Sequence, residues 1–377
     1  MLIYPTLKMA PIQGLTGFGG GATGNLVRGA SGFDWEGLST GDSYQGGITY
    51  KVNATTFQIW YYPQSRKGSS TSYSMSDLSG SFQVLGQTNL RIYMVGGGGG
   101  GCGENGGAGS GGGGITVSQF TPTDTETFSF NVGKGGLGGV TGAGQSSWGA
   151  TVLTNIGDQN NSSRPTAGNN TTLTGTGLSL SAGGGPKDDT TNSTNPTTAS
   201  SNSINSNSRG LSISLGSGGR GGGRSNAGEN GSNGNAGGGG ANLLGNDTSD
   251  NKGGNGSGLF GGGGGAGTGY NTGSWSSTLR PGGSGSTYSF NGGYGGQVDT
   301  PVYFGGDGVC PTDDTSTYPN FHAGGGRAYI QSDNANLNRG SSGGGGFPGG
   351  GGGSAVYQPF GVGSDGASGI IVFQWTL

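Results

Sequence analysis

His322 is the only histidine in the chain. Any Ser-His-Asp, Cys-His or multi-histidine zinc site would therefore have to be built around this one residue. It lies in the sequence PNFHAGGG, which is typical of a loop, where a structural role is the commoner one. We therefore expect no metal ion, no cofactor and no catalytic residues, and the chain is not expected to be an enzyme.

Pairs of nearby acidic residues could ligate calcium or hydrolyse a glycosidic bond. They are Asp188 and Asp189, Asp247 and Asp250, and Asp313 and Asp314. None of them has the spacing of a calcium-binding loop, and glycan-degrading proteins usually carry more aliphatic residues. Solvated loop charge is the favoured interpretation, and glycan hydrolysis stays open as an alternative.

The GxGxxG pattern occurs repeatedly, but glycine supplies 98 of the 377 residues, so chance produces such matches. A dinucleotide site also needs a following helix within a βαβ unit, and no helical pattern of apolar residues is present. Nucleotide binding is not expected.

Large aromatic side chains between glycine runs are the candidate contacts for a receptor. Tyr and Trp offer large, rigid contact areas at loop tips. The alternative is that they cover the flanks of the glycine-rich region and form its small cores. The candidates are Tyr270, Trp275, Tyr288, Tyr294, Tyr303 and Tyr318.

Glycine makes up about one residue in four, against roughly 7 % in an average protein. Charged residues are only 9 % and the net charge is −3, so no basic footprint for nucleic acid or an anionic membrane surface is present. The 14 Tyr, 14 Phe and 5 Trp can anchor several small cores. They argue against plain disorder.

The chain start, MLIYPTLKMA, does not resemble a secretory signal, and no apolar run is long enough for a membrane helix. We expect no insertion into a membrane, and we expect any export to occur by lysis or by assembly into a particle.

Cys102 and Cys310 are favoured as two free thiols, although one long-range disulfide is possible.

Composition divides the chain into 1–34, an extended entry segment, 35–89, a small β module, and 90–377, the glycine-rich part. Strand-like pieces are Ile48–Tyr62 (with Tyr50, Val52, Phe57, Ile59 and Tyr61 as strand positions), Ser81–Leu85, Leu90–Val95, Ile115–Phe120, Thr127–Val132, Thr171–Ser181, Leu211–Leu215, Tyr288–Phe290 and Gly369–Leu377. The glycine-free polar stretch 186–209 is predicted to be a solvated loop.

Runs of bare glycine alternate with these strands, at 96–101, 111–114, 183–185, 221–223, 237–240, 261–265, 324–326, 343–346 and 349–353. Flexible linkers do not usually recur so often. Collagen needs Gly at every third position and abundant Pro, and a glycine-interrupted β-solenoid is a further alternative. The favoured interpretation is a bundle of polyglycine II helices, in which main-chain hydrogen bonds between neighbours replace a hydrophobic core.

The predicted fold class is therefore all-β and irregular. It consists of a small N-terminal β module, then a glycine-rich β-sandwich with a polyglycine II bundle, and essentially no α-helix. We expect strand 370–375 to pair with strand 90–95, because both are apolar and both adjoin glycine.

Three stretches carry a resemblance to the glycine-rich domain of bacteriophage tail fibres and adhesins. LRIYMVGGGGGG (90–101) resembles its opening strand, and GSDGASGIIVFQW (363–375) its closing strand. The stretch 127–149 is similar to its strand–VG-x-GG motif at Val132, Gly133, Gly135, Gly136, Gly138, Gly139, Ser147, Trp148 and Gly149.

The resemblance covers roughly 90–377, and PIQGLTGFGGGATG (11–24) also resembles openings of phage, notably cyanophage, structural proteins. A similar fold occurs in animal receptor ectodomains, but those carry signal peptides and more cysteines. The resemblance implies a virion location, often host-receptor binding, and no enzymatic activity.

The expected function is that of a virion structural protein, a tail-fibre or adhesin subunit that binds the bacterial surface. The expected partners are other virion proteins through 1–34, a bacterial surface glycan or protein, and further copies of the chain, with a trimer favoured. The alternatives are a capsid or tail decoration protein without receptor binding, and a glycan-degrading tailspike.

Overall fold

The structure is a computed structural model. It describes residues 43–63, 66–67, 73–74, 76–84, 86, 89–101, 108–141, 165–187, 198–222, 228–232, 235–240, 252–267, 270–271, 274–275, 282–289, 292, 344–354 and 361–376. Within these ranges the protein is all-β, with two antiparallel sheets and no helix.

Seven strands form the larger sheet, in the order β1-β2-β3-β18-β7-β8-β14. They are β1 (Ser43–Tyr44), β2 (Gly47–Lys51), β3 (Thr56–Tyr61), β7 (Asn89–Val95), β8 (Gly114–Phe120), β14 (Ile213–Gly216) and β18 (Ile370–Thr376).

Five strands form the second sheet, in the order β13-β12-β11-β9-β6. They are β6 (Leu78–Val84), β9 (Glu126–Val132), β11 (Thr171–Gly175), β12 (Leu178–Ala182) and β13 (Ser203–Asn207). The remaining strands form two-stranded pieces: β4 (Arg66–Lys67) with β5 (Tyr73–Ser74), β10 (Val140–Thr141) with β17 (Gly361–Val362), and β15 (Tyr270–Asn271) with β16 (Ser274–Trp275).

The closing strand β18 lies between β3 and β7, with Ile371 opposite Met94 and Trp375 opposite Leu90. The predicted pairing of 370–375 with 90–95 is confirmed. β18 is apolar at nearly every position because both of its faces are covered. Ile371, Phe373 and Trp375 point into the core between the sheets, and Ile370 and Val372 into a second core on the other face.

The described strands of 35–89 lie in the same two sheets as the glycine-rich part. β3 pairs with β18, and β6 pairs with β9 along its whole length. The core between the sheets also mixes both parts, since Phe82 stacks on Phe373 with ring centroids 4.3 Å apart. The boundary after residue 89 thus falls at the first residue of β7, within one sandwich.

The predicted strand 48–62 is a hairpin, so the expectation for Val52 is wrong. Residues 52–55 form the turn between β2 and β3, and Val52 is 36 % exposed. The turn is held by the side-chain oxygen of Asn53, which accepts hydrogen bonds from the N–H groups of Thr55 and Thr56. An Asx turn of this kind competes with strand extension.

Tyr288 lies in a turn and not in the predicted strand 288–290. Its N–H donates to the carbonyl oxygen of Leu259, and its ring lies 5.4 Å from that of Phe260. Side-chain anchoring therefore overrides the strand preference of this short aromatic stretch.

Candidate functional site

The glycine segment 96–101 donates its N–H groups to three neighbours in strict rotation. Gly97 and Gly100 donate to 165–170, Gly98 and Gly101 to 363–369, and Gly96 and Gly99 to 108–113. Only a helix with three residues per turn and outward-pointing amides gives this pattern, and that is the polyglycine II geometry. The predicted side-by-side packing of the glycine runs is confirmed for 96–101, 261–265 and 349–353.

The Cα faces of the same segment approach three further neighbours. A Cβ on Gly98 would overlap the carbonyl of Gly350, and one on Gly100 would overlap the carbonyl of Leu137. A Cβ on Gly99 would lie too close to the carbonyls of Gly185 and Pro186. Residues 96–101 are thus enclosed on every side by other extended segments, at distances that exclude any side chain.

Outer segments of the bundle carry a side chain at every third position. In 133–139 the half-exposed residues are Lys134 and Leu137, and in 217–222 the exposed ones are Ser217 and Arg220, while the glycines between them are buried. One row of a threefold helix faces solvent there, so that row tolerates a Cβ. A search for bare glycine runs misses 133–139 and finds only the end of 217–222, whereas a Gly-Gly-X period identifies both segments.

Polar side chains close the edges of the bundle, where the described part of the chain places no further glycine segment. Asn202 accepts from the N–H of Gly183 and donates to the carbonyl oxygens of Gly114 and Gly216, at 2.8–3.0 Å. Asp77 accepts from the N–H of Lys134 at 2.9 Å. Such bonds satisfy backbone N–H and carbonyl groups at the rim of the bundle.

The prediction that 186–209 is a solvated loop is wrong in part: 203–207 form a strand and Ser200 is buried, while residues 203–206 are exposed as expected. Residues 203–207 form β13, and Ser200 is only 2 % exposed and accepts from the N–H of Gly218. Composition misleads here because Ser and Asn bind glycine backbone as readily as they bind water.

Successive glycine segments alternate in direction. Segment 133–139 is parallel to 96–101, since Gly136 donates to Gly98 and Gly139 to Gly101. Segments 108–113 and 165–170 are antiparallel to 96–101, because the residue numbers of the donors in 96–101 rise as those of their acceptors fall. One end of the bundle adjoins the strands. We call the opposite end the loop-bearing end and define it by Gly101, Gly139, Gly222 and Gly240.

Aromatic turns anchor the other end of the bundle to the outer face of the seven-stranded sheet. Phe260 lies edge-on to Trp60 at 5.4 Å and contacts Tyr93 at 5.0 Å. Phe347 contacts Tyr62 at 4.9 Å. These rings form the second core, so the bundle is joined to the sandwich by side-chain packing as well as by continuous chain.

The six residues predicted to contact a receptor lie in different parts of the structure. Tyr270 and Trp275 lie opposite each other in the β15–β16 pair, between an outgoing segment (261–267) and a returning one (282–286), which places the pair at the loop-bearing end. Tyr288 is half-buried against Phe260 at the anchored end, where it serves packing. Tyr294, Tyr303 and Tyr318 lie outside the described residues.

Buried charges in the described part of the chain serve the fold. Glu126 forms an ion pair with Arg209 at 2.6 Å and accepts from the N–H of Thr176. Asp365 accepts from the N–H of Gly138 at 2.7 Å. Both carboxylates hold backbone segments in place, which is a different task from acid–base chemistry on a substrate.

The described ranges contain no group of three or more His, Cys, Asp or Glu residues placed to hold a metal ion, and no helix long and apolar enough to cross a membrane. Several residues considered for chemistry lie outside those ranges: His322, Cys102, Cys310, Asp188, Asp189, Asp247, Asp250, Asp313 and Asp314.

No family model matches the chain, and no curated protein sequence matches it significantly.

Proposed function

We propose that this protein is a phage virion structural protein, a tail-fibre or adhesin subunit that binds the bacterial host through the loop-bearing end of its polyglycine bundle. It would attach to the particle through its N-terminal segment, residues 1–34, and act as a homo-oligomer, with a trimer favoured. Its partners would be other virion proteins and a surface glycan or protein of the host.

The observation that carries this proposal is the alternation of the glycine segments. Because outgoing and returning segments follow each other, the connections at 101–108, 139–165, 222–228, 240–252 and 267–282 begin and end at the loop-bearing end. The bundle itself is held by main-chain hydrogen bonds between glycines. Changes of sequence in the connections therefore leave its packing intact, which suits a surface whose specificity varies.

The low charge of the chain also supports recognition of the host through short-range contacts, as opposed to long-range electrostatic attraction. The chain carries a net charge of −3 with 9 % charged residues, so binding is expected to change little with ionic strength. Tyr270 and Trp275, paired across β15–β16, are the described aromatic residues at the correct end for such contacts.

The test is competition for host adsorption by the purified full chain over a panel of bacteria. The expected result is that the wild-type protein slows adsorption of the parent phage to a permissive host. A variant with 268–281 replaced by a Gly-Ser linker should compete less well. The matched control is Val52→Ser in the exposed β2–β3 turn, which should compete as the wild type does.

Two outcomes would overturn the proposal. If the wild-type chain binds no permissive host at micromolar concentration, the decoration-protein alternative replaces the adhesin. If it releases reducing sugars from host polysaccharide, the glycan-degrading tailspike replaces it. No observation in the described residues favours either alternative at present.

A further inference from the structure

The outer face of the seven-stranded sheet carries a positive charge, on Arg91, that has no anionic partner among the described residues. Arg91 lies on β7, on the same side as Tyr93 and Val95 of the second core, and its side chain is half-buried. Its guanidinium donates one long hydrogen bond, from Nη1 to the hydroxyl of Tyr93 at 3.4 Å. Its Nε–H is shielded from solvent and has no acceptor in the described ranges. Since most buried donors in proteins have an acceptor, an unsatisfied guanidinium indicates a missing partner.

Gln374 faces Arg91 directly across β18 and β7, and a chain of hydrogen bonds fixes the direction of its amide. The indole of Trp60 can only donate, so the side-chain oxygen of Gln58 must face it, at 2.9 Å. Gln58 is 1 % exposed, and its Nε2 therefore donates to the side-chain oxygen of Gln374, at 2.8 Å. The oxygen of Gln374 is thus occupied, and its amide N–H groups are left without an acceptor in the described part of the chain.

Together Arg91 and Gln374 present several hydrogen-bond donors and one positive charge. Neighbouring strands lie about 4.8 Å apart, so a single group can contact both side chains. An oxyanion is complementary, because ionised oxygens only accept and a guanidinium can bind a carboxylate through two parallel hydrogen bonds. One arginine balances one negative charge, whereas a nucleic acid or an anionic membrane would require several basic residues. The donors and the charge therefore fit a ligand that carries a carboxylate.

Neutral polar side chains adjoin this pair on the same face of the sheet. Thr376 lies opposite both Thr56 and Asn89, and all three side chains are half-buried. Hydroxyl and amide groups can both donate to sugar hydroxyls and accept from them. A peptide ligand would pair with a free sheet edge, but β7 and β18 have strand neighbours on both sides. The surroundings therefore favour a sugar as the carrier of the carboxylate.

We infer that Arg91 and Gln374 form a binding site for the carboxylate of an acidic sugar, such as a uronic acid in a polysaccharide. The carboxylate accepts from the guanidinium and from the amide of Gln374, and the side chains of Thr56, Thr376 and Asn89 contact the neighbouring hydroxyl groups. Because an ion pair on an accessible face is screened by dissolved ions, binding weakens as the salt concentration rises. The site lies on the sheet, apart from the loop-bearing end, and does not depend on the proposed function.

The test is the fluorescence anisotropy of a labelled oligogalacturonate titrated with the full-length protein. The methyl-esterified oligomer is the comparison, because it keeps the sugars and removes the charge. A sulfated oligosaccharide distinguishes a carboxylate site from a site for other oxyanions. The expected result is that the oligogalacturonate binds more tightly than the sulfated sugar and roughly tenfold or more tightly than the ester, and that high salt weakens its binding.

Two variants test the residues themselves. Arg91→Met keeps the apolar stem and removes the charge, so it should weaken oligogalacturonate binding by roughly tenfold or more. Its Tm should be nearly unchanged, because the hydrogen bond that it removes is long. Gln374→Glu can still accept from Gln58 and supplies an internal carboxylate for Arg91, so it should raise the Tm and suppress binding by occupying the site. The matched control is Arg220→Met on an outer segment of the bundle, where the side chain is 52 % exposed and binding should equal that of the wild type.

The inference is overturned if the wild type does not bind oligogalacturonate, or if Arg91→Met and Arg220→Met bind it equally well. It is also overturned if the ester binds as tightly as the free acid, or if the sulfated oligosaccharide binds more tightly. Lost binding in Gln374→Glu together with a raised Tm supports it, because that variant is folded and its own carboxylate fills the site.

Discussion

The backbone N–H of Gly98 donates a 2.8 Å hydrogen bond to the carbonyl oxygen of Ala367. This bond joins the segment that follows β7 to the segment that precedes β18, so the pairing of these two strands in the sheet continues as pairing of two glycine helices. Strand hydrogen bonds and polyglycine hydrogen bonds thus form one connected network, and damage to the bundle should also destabilise the sandwich.

Gly98→Val is expected to be among the most damaging single substitutions, since its Cβ would overlap the carbonyl of Gly350. The segment has neighbours on all sides, so relief requires several backbones to move. The expected loss of unfolding free energy is at least the 1–3 kcal/mol typical of overpacking, measured by chemical denaturation.

Lys134→Val is the matched control, because Lys134 occupies the partly exposed row of an outer glycine segment. It should change stability by no more than about 0.5 kcal/mol. If Gly98→Val yields no soluble protein, Gly98→Ala supplies the measurement. Equal stability of the Gly98 and Lys134 variants would contradict close packing of 96–101.

Asn202→Ala should cost about 2 kcal/mol or more of unfolding free energy. The substitution removes three hydrogen bonds to the backbone of Gly183, Gly114 and Gly216, and leaves those groups without their partner. Asn205→Ala, at an exposed position of β13, is the control and should be nearly neutral. A Tm for Asn202→Ala within about a degree of that of the control would show that this edge of the bundle does not depend on side-chain hydrogen bonds.

Phe260→Ala should loosen the bundle from the sheet. Phe260 is fully buried and contacts Trp60 and Tyr93, so truncation leaves a cavity that typically costs about 3–5 kcal/mol. Leu215→Ala, at a side chain 43 % exposed, is the comparison. Thermal unfolding followed by tryptophan fluorescence, to which Trp60 contributes as one of five tryptophans, measures the loss. An unchanged unfolding transition would show that Phe260 does not anchor the bundle.

Sequence alone predicts much of this fold, because its strongest signals are local. The apolar strands around Ile92 and Phe373, and the bare glycine run 96–101, are recognised from neighbouring residues alone. Segment 133–139 is absent from the bare glycine runs because Lys134 and Leu137 interrupt it. Its Gly-Gly-X period is a local pattern, but only the three-dimensional bundle shows that Lys134 and Leu137 lie in its solvent-facing row.

The candidate site was less predictable for the same reason. Tyr270 and Tyr288 look alike in sequence, since both lie between glycine runs. Only the direction of each glycine segment distinguishes the loop-bearing end from the anchored end, where Tyr288 packs on Phe260. Asn202 belongs to a polar stretch that resembles a solvated loop, and its contacts with Gly114 and Gly216 come from distant strands.

Hydrogen exchange of the glycine amides tests the central claim most directly, because polyglycine without a bundle is a flexible coil. The measurement is mass spectrometry of peptides covering 96–101, 261–267 and 349–354 in the intact protein. If these segments form the bundle, their amides exchange as slowly as those of β7 and β18. Exchange at the rate of an unstructured peptide in all three segments, with protection confined to the strands, would contradict the account.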